Sequence, residues 1–259
     1  MFISQIGNGF VGSALNKSFL KNGLNINIYD KYQKIGSIDS IIKSDIIFFC
    51  LPTPYKHKYG YDLTAIEENL NLLSADSFKG TVVIKSTVLP GTCNILEKKY
   101  NIKIVHNPEF LTERTAFDDF HNQKHIVLGF NNIRHQNIIS LYQKYYPDAK
   151  ISLCTSSESE SMKIFCNTFY AVKVQIFNEF YLLCNNLNID FNKTRDLMLE
   201  NGWINPMHTT VPGPDGMLSY GGHCFPKDTS ALLEQMKHLN IPSEVLSGCV
   251  SERNKMRKD

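Results

Sequence analysis

Short apolar runs of strand length recur through the first half of the chain, at 2–6, 25–29, 45–51, 81–85, 103–106 and 125–130. A glycine, proline or charged residue stands at or beside at least one end of each. Between them apolar positions return every three or four residues, through Ala14, Leu15, Phe19 and Leu20 and again across 63–73, which is the helical period. Strand and helix alternating in this way predict βαβ units: an α/β fold whose doubly wound parallel Rossmann sheet occupies 1–155. Beyond 156 the strand-length runs stop. Met162, Phe165, Phe169, Val172, Ile176, Phe180, Leu183 and Leu187 keep a three-and-four spacing, and Ser157-x-x-Glu160 reads as a capping box. The pattern predicts one long helix of about eight turns, followed by a smaller all-helical domain over 156–259. Asp228 opens its last helical region, interrupted near Ile241-Pro242.

The first apolar run leads into Gly7-Asn8-Gly9-Phe10-Val11-Gly12 and then a helix, the setting in which G-x-G-x-x-G binds a dinucleotide. The first glycine allows the tight turn, the second lets a pyrophosphate approach the backbone, and the third lets the helix pack on the strand; the helix N-terminus supplies the anion site. Asp30 ends the second run eighteen residues after Gly12, where a carboxylate accepts hydrogen bonds from the adenosine ribose. That selects NAD, with Lys31 and Lys34 beside it as residues that would instead suit a 2′-phosphate. Pro52, Thr53, Thr87 and Glu109 each follow the end of a strand, where ligands gather in such sheets.

A second concentration of chemistry lies far along the chain. Gly221-Gly222-His223-Cys224-Phe225-Pro226-Lys227-Asp228 compresses two glycines, a thiol, a proline and an acid into a turn-like segment. Lys227 beside Cys224 favours a thiolate, so Cys224 is the candidate nucleophile. Lys163 and Asn167 sit one helical turn apart and offer donors to one developing oxyanion.

Composition narrows the picture further. The formal charge is +2, with 42% hydrophobic and 20% charged residues, which argues against a nucleic-acid partner. No apolar run approaches the roughly 20 residues of a membrane span, and 2–6 lacks the basic flank of a leader peptide. Seven cysteines, an odd count without metal-type pairing, fit a reducing cytoplasm and no zinc site. The basic tail from Arg253 to Lys258 reads as a solvated helix end.

Taken together, the dinucleotide fingerprint, Pro52-Thr53-Pro54, Lys85-Ser86-Thr87, Asn107-Pro108-Glu109-Phe110-Leu111-Thr112-Glu113, the Lys163/Asn167 pair with Asn178-Glu179, and the cysteine segment resemble the UDP-glucose/GDP-mannose dehydrogenase family, in the family's order and over nearly the whole chain. The resemblance implies oxidation of a primary alcohol to a carboxylate with two NAD per turnover and a Cys224-bound intermediate. It also implies that Lys163 and Asn167 stabilise the oxyanion, while Thr87, Glu109 and Asp228 position or activate water. Phe10, Val11, Lys34 and Lys227 join the expected NAD contacts. Phe110, Leu111, Glu113, Tyr220 and Gly221 join the expected sugar contacts, Glu113 lying one turn beyond Glu109 if that segment is helical.

Within the family the helical domain forms a homodimer, which is how the apolar stripe from Met162 to Leu187 would be buried. Two features depart from the family. The chain ends thirty-one residues after Asp228, short of the third, nucleotide-gripping domain, so a separate chain is one expected source of it. No arginine stands between Arg195 and Arg253; Trp203 to His208 occupy that place, and Trp203 or Tyr220 would pack on the base or sugar. UDP-glucose is the expected substrate and GDP-mannose the nearest alternative. A dehydrogenase of the 6-phosphogluconate or 3-hydroxyacid type shares the Rossmann domain and the Lys-x-x-x-Asn pair but needs no thiol. A non-catalytic sensor or assembly protein is the remaining alternative.

Overall fold

The computed structural model describes residues 1–258. The chain divides into two compact units, one made of Met1–Pro54 and Tyr61–Lys163, the other of Tyr55–Gly60 and the residues from Ile164 on.

In the first unit the strands are β1 (Ile3–Ile6), β2 (Asn27–Tyr29), β3 (Ile46–Phe49), β6 (Thr81–Ile84), β7 (Lys103–His106), β8 (His125–Phe130) and β9 (Lys150–Thr155). A two-stranded ribbon of β4 (Tyr55–Lys56) and β5 (Gly60–Tyr61) interrupts the series, and the tip of that ribbon belongs to the second unit. Helices α1 (Phe10–Lys21), α2 (Ile38–Ile41), α3 (Thr64–Ala75), α4 (Thr92–Tyr100), α5 (Ala116–His121) and α6 (Gln136–Tyr145) connect the strands.

The seven strands form one sheet in the order β2-β1-β3-β6-β7-β8-β9. Order reverses between β1 and β3, and the crevice outside their carboxyl ends is where doubly wound sheets bind ligands. The central strands are apolar on both faces because helices cover both. Alternate residues serve different cores: Ile46 and Phe48 face one with Phe19, Phe120 and Tyr142, while Ile47 and Phe49 face the other with Ile66, Leu70 and Leu96.

The sheet is not uniformly parallel. β8 pairs antiparallel with β7 through Val105–Phe130 and His106–Gly129, and parallel with β9. The connection from β7 to β8 runs through residues 107–124 and holds a 3₁₀ turn and the six-residue α5. Apolar periodicity carries no strand direction, so the sequence reading missed this.

Helix α7 (Ser156–Asn186) is the long helix expected, 31 residues, about 46 Å. Its cap lies two residues earlier than the sequence suggests. The Glu158 carboxylate accepts from the Thr155 N–H at 2.7 Å and hydroxyl at 2.8 Å, and the Glu158 N–H donates to Thr155 Oγ1 at 3.2 Å. These bonds hold the Glu158 carboxyl below its ordinary pKa, the backbone donor leading. Glu160 is instead buried against the start of α4, accepting from the N–H groups of Gly91 and Cys93 at 2.6 and 2.7 Å.

The second unit is helical: the later turns of α7, then α8 (Phe191–Glu200), α9 (Phe225–His238) and α10 (Glu244–Met256). Its apolar cores are small, one around Phe177, Cys184, Phe191 and Val211, another around Ala171, Tyr220 and Cys249. Much of the α7 stripe stays outside them. Phe165, Phe169, Ile176, Phe180 and Leu183 are exposed, as is Leu187 just past the helix end. No helix among the described residues is long and apolar enough to cross a membrane.

Candidate active site

The fingerprint turn is built as its glycines require. Gly7 has φ +90°, and a Cβ there would come within 2.4 Å of the Cys50 carbonyl oxygen; a Cβ on Gly12 would lie 2.2 Å from that of Gly7. Around Gly9 no protein atom lies within 4 Å of where a Cβ would stand. The close packing falls on the first and third glycines, and open space on the second, where a pyrophosphate must approach. No acidic residue occupies the first turn of α1, so the start of the helix remains favourable for an anion. The loop fits a dinucleotide.

Asp30 is buried and already engaged. Its carboxylate accepts from the N–H of Asn8 at 2.7 Å and from those of Tyr32 and Gln33 at 2.9 and 2.8 Å. A carboxylate offers about four acceptor positions, so Asp30 fixes the turn after β2 against the fingerprint loop and has capacity for a further donor. Lys34, also in that turn, is exposed and left-handed at φ 57°.

At the carboxyl ends of β3, β6 and β7 the sheet brings several expected residues together. The Thr53 hydroxyl donates to the Thr87 carbonyl at 2.8 Å, joining two expected cofactor contacts, with Pro52 beside them. Glu109 and Lys163 form a buried ion pair at 3.3 Å, Glu109 also accepting from the Leu111 N–H at 2.6 Å. The Lys163 ammonium lies 5.2 Å from the centre of the Phe110 ring. Glu113 differs from expectation: residues 109–112 are irregular, and Glu113 begins a single 3₁₀ turn, Glu113–Thr115. The Asp119 carboxylate accepts from the Thr112 N–H at 2.8 Å and holds the segment in this course.

Beneath the Glu109–Lys163 pair lies Lys85, a lysine whose role the sequence does not disclose. It is 2% exposed, and its ammonium donates to Asn107 Oδ1 at 2.9 Å, an atom that also accepts from the Tyr142 hydroxyl. Burial pushes its pKa down to about 8, against the opposing pull of Cys50 and Glu109. Burial likewise takes His106 down to about 3, so its imidazole is neutral, with Nδ1 2.8 Å from the Ser159 hydroxyl.

In the second unit Cys224 is the N-cap residue of α9, with Pro226 in the helix's first turn and Asp228 one turn in. Asp228 is fully buried; its two oxygens meet the Asn167 amide at 2.6 Å and the Lys227 ammonium at 2.5 Å. Lys227, an expected cofactor contact, is thus committed to an ion pair. Gly222 has φ +77°, open only to glycine without strain. Tyr220, an expected sugar contact, is 3% exposed and packs with Ala171 and Cys249, its hydroxyl near Thr229. Trp203 is 94% exposed. Among the described residues no group of three or more His, Cys, Asp or Glu could hold a metal ion.

The basic tail is not solvated as expected. Arg253 and Arg257 are buried, and both reach back to the segment before Cys224. Their i, i+4 spacing was the available signal, since it places both on one face of a helix.

Residues 33–146 match the model of the UDP-glucose/GDP-mannose dehydrogenase family's NAD-binding domain, and residues 157–255 match that of its central domain. The chain belongs to this family. The fingerprint at Gly7–Gly12 precedes the matched span, and its geometry adds an independent indication of the same cofactor, NAD. The UDP-glucose 6-dehydrogenase of Rickettsia bellii is 30% identical over 221 residues, covering 82% of this chain and 50% of that protein. The GDP-mannose 6-dehydrogenase of Pseudomonas aeruginosa is 29% identical over 237 residues, covering 85% and 53%. The chain thus spans about half the length of the curated relatives it matches.

Solved structures agree on the fold. A UDP-glucose dehydrogenase of Pyrobaculum islandicum superposes with a TM-score of 0.86 at 23% identity, over 98% of this chain and 67% of that one. A 3-hydroxyisobutyrate dehydrogenase of Mycobacterium tuberculosis gives 0.76 at 14% identity, over 98% and 94%. The fold is therefore common to enzymes of both kinds, and the family match is what separates them.

Proposed function

We propose that the chain oxidises the C6 alcohol of a nucleotide sugar to the carboxylate, with UDP-glucose as the substrate and GDP-mannose as the nearest alternative. The observation that carries the reading is Cys224, set at the start of α9 one turn before a buried Asp228 that pairs with Asn167. A dehydrogenase of the 3-hydroxyacid type has no use for a thiol in that position. NAD⁺ held by the Gly7–Gly12 loop and Asp30 would supply the hydride acceptor for two successive oxidations.

The residues divide the remaining work. After the first oxidation the Cys224 thiolate adds to the C6 aldehyde, forming a C–S bond and an oxyanion to which Lys163 and Asn167 donate. Loss of the second hydride from that thiohemiacetal leaves a thioester on Cys224. Thr87, Glu109 and Asp228 orient the water whose attack breaks the C–S bond, releases the carboxylate and returns the thiol. Glu109 suits this work because its carboxylate is fixed between Lys163 and the Leu111 N–H. A sugar adduct on the Cys224 peptide in acid-quenched turnover supports the reading; turnover with every cysteine peptide unmodified, and full activity in Cys224→Ser, contradicts it.

The exposed apolar side chains along α7 support a homodimer formed through that helix. Nothing in the second unit's own cores covers them.

A further inference from the structure

The segment leading to Cys224 is held from behind by the last turns of the described chain. Arg257 is 4% exposed, and its guanidinium lies flat against Gly221: a Cβ on that glycine would meet Nη2 at 2.2 Å and Cζ at 2.4 Å. One arm of the fork donates to the Asp215 carboxylate at 2.8 Å, and the other reaches the Ser219 carbonyl at 3.4 Å. One turn earlier, Arg253 Nε donates to the Tyr220 carbonyl at 3.2 Å, and its guanidinium lies 5.9 Å from the Tyr220 ring. On the opposite side the Ser219 N–H donates to Asn178 at 2.9 Å, and the Ser219 hydroxyl to Gln175 at 2.6 Å, both on α7.

The two glycines therefore have different reasons. Gly222 supplies a left-handed backbone, whereas Gly221 makes room for a guanidinium. We infer that Arg257, with Arg253 behind it, is a positioning residue for Cys224, fixing the Ser219–Gly221 backbone so that the thiol is presented at the start of α9. A loop this rich in glycine has many conformations to lose. A rigid planar fork that binds two points along it removes them at a single stroke, which a lysine cannot do.

This inference rests on the thiol chemistry proposed above, and its test is chosen to separate the two. If Cys224 is displaced, the aldehyde of the first oxidation escapes before it is captured. The yield of NADH per sugar consumed then falls from two toward one, and free aldehyde becomes trappable with a hydrazine. A variant that merely unfolds lowers the rate but leaves the ratio at two, because the ratio does not depend on how much enzyme is folded.

The expected results are a ratio falling toward one in Arg257→Ala, recovery when guanidinium ion is supplied in solution, and a smaller fall in Asp215→Ala. Arg257→Lys, which keeps the charge and most of the volume, serves where the alanine variant fails to fold and is expected to fall as well. Two NADH per sugar in both Arg257 variants, at any rate of turnover, overturns the inference while leaving the thiol mechanism standing. A wild-type yield other than two overturns both.

Discussion

Lys85 allows a stability prediction worked from the structure. An ammonium buried at 2% exposure, held by one asparagine oxygen and, among the described residues, by no direct carboxylate partner, is disfavoured by desolvation, and its pKa falls from 10.5 to about 8. A shift of that size corresponds to about 3 kcal/mol of penalty on the charged form. The sign follows from proton counts. Between about pH 8 and 10.5 the unfolded chain holds a proton at this position that the folded chain has lost, so stability rises with pH across that window. Below pH 8 the penalty is complete.

Lys85→Met keeps the length and apolar stem and removes the charge. It also loses the hydrogen bond to Asn107, worth about 1 kcal/mol for a neutral donor, but Asn107 Oδ1 keeps the Tyr142 hydroxyl. The variant is therefore expected to be more stable than the wild type by about 1–2 kcal/mol at pH 7, with the gap closing and reversing towards pH 10.5. Urea denaturation of both proteins at matched pH values reads that difference, and the other titrating lysines and tyrosines cancel in it. A gap constant across the window, or a variant clearly less stable at pH 7, refutes the reasoning.

Three other outcomes are expected. Thr155→Ala breaks the capping box of α7 and costs about 1 kcal/mol, measured by the same denaturation; no change would mean that the cap adds nothing to so long a helix. Replacing Phe169 and Leu183 together by glutamate yields a monomer by light scattering at concentrations where the wild type is a dimer; a monomeric wild type refutes the dimer proposal itself. Trp203→Ala raises the KM for the nucleotide sugar several-fold, and an unchanged KM removes Trp203 from the substrate contacts.

The parts of this molecule legible in its sequence are those written in local patterns. Continuous apolar runs gave the central strands nearly to the residue, as at 103–106 and 125–130, and the three-and-four stripe gave α7. The fingerprint was readable because Gly7 and Gly12 answer local backbone demands and Gly9 leaves open space between them. Strand direction was not, since apolar runs carry no polarity and the connection before β8, residues 107–124, is long enough for either direction. Nor was the β4–β5 ribbon, whose strands are two residues long.

Charges were misread where tertiary contacts decide. Glu160 resembles a capping residue but covers the start of α4, and Arg253 and Arg257 resemble a solvated tail but lie buried behind the cysteine segment. Tyr220 resembled a ligand contact because of the chemistry of its neighbours, yet its ring fills a small core. Residues acting through backbone carbonyls leave no motif, and the expected site residues could be grouped from sequence by their place after strand ends, by helical spacing and by resemblance to the family.

The central claim is a pair of oxidations joined by Cys224. The most direct test is the yield of NADH per sugar consumed, with purified chain, NAD⁺ and a panel of UDP-glucose, GDP-mannose and UDP-N-acetylhexosamines, in the wild type and in Cys224→Ser. Two NADH per sugar in the wild type, with the second lost in the serine variant, is the predicted result. One NADH per substrate in both proteins, or NAD⁺ binding without turnover of any sugar, contradicts it.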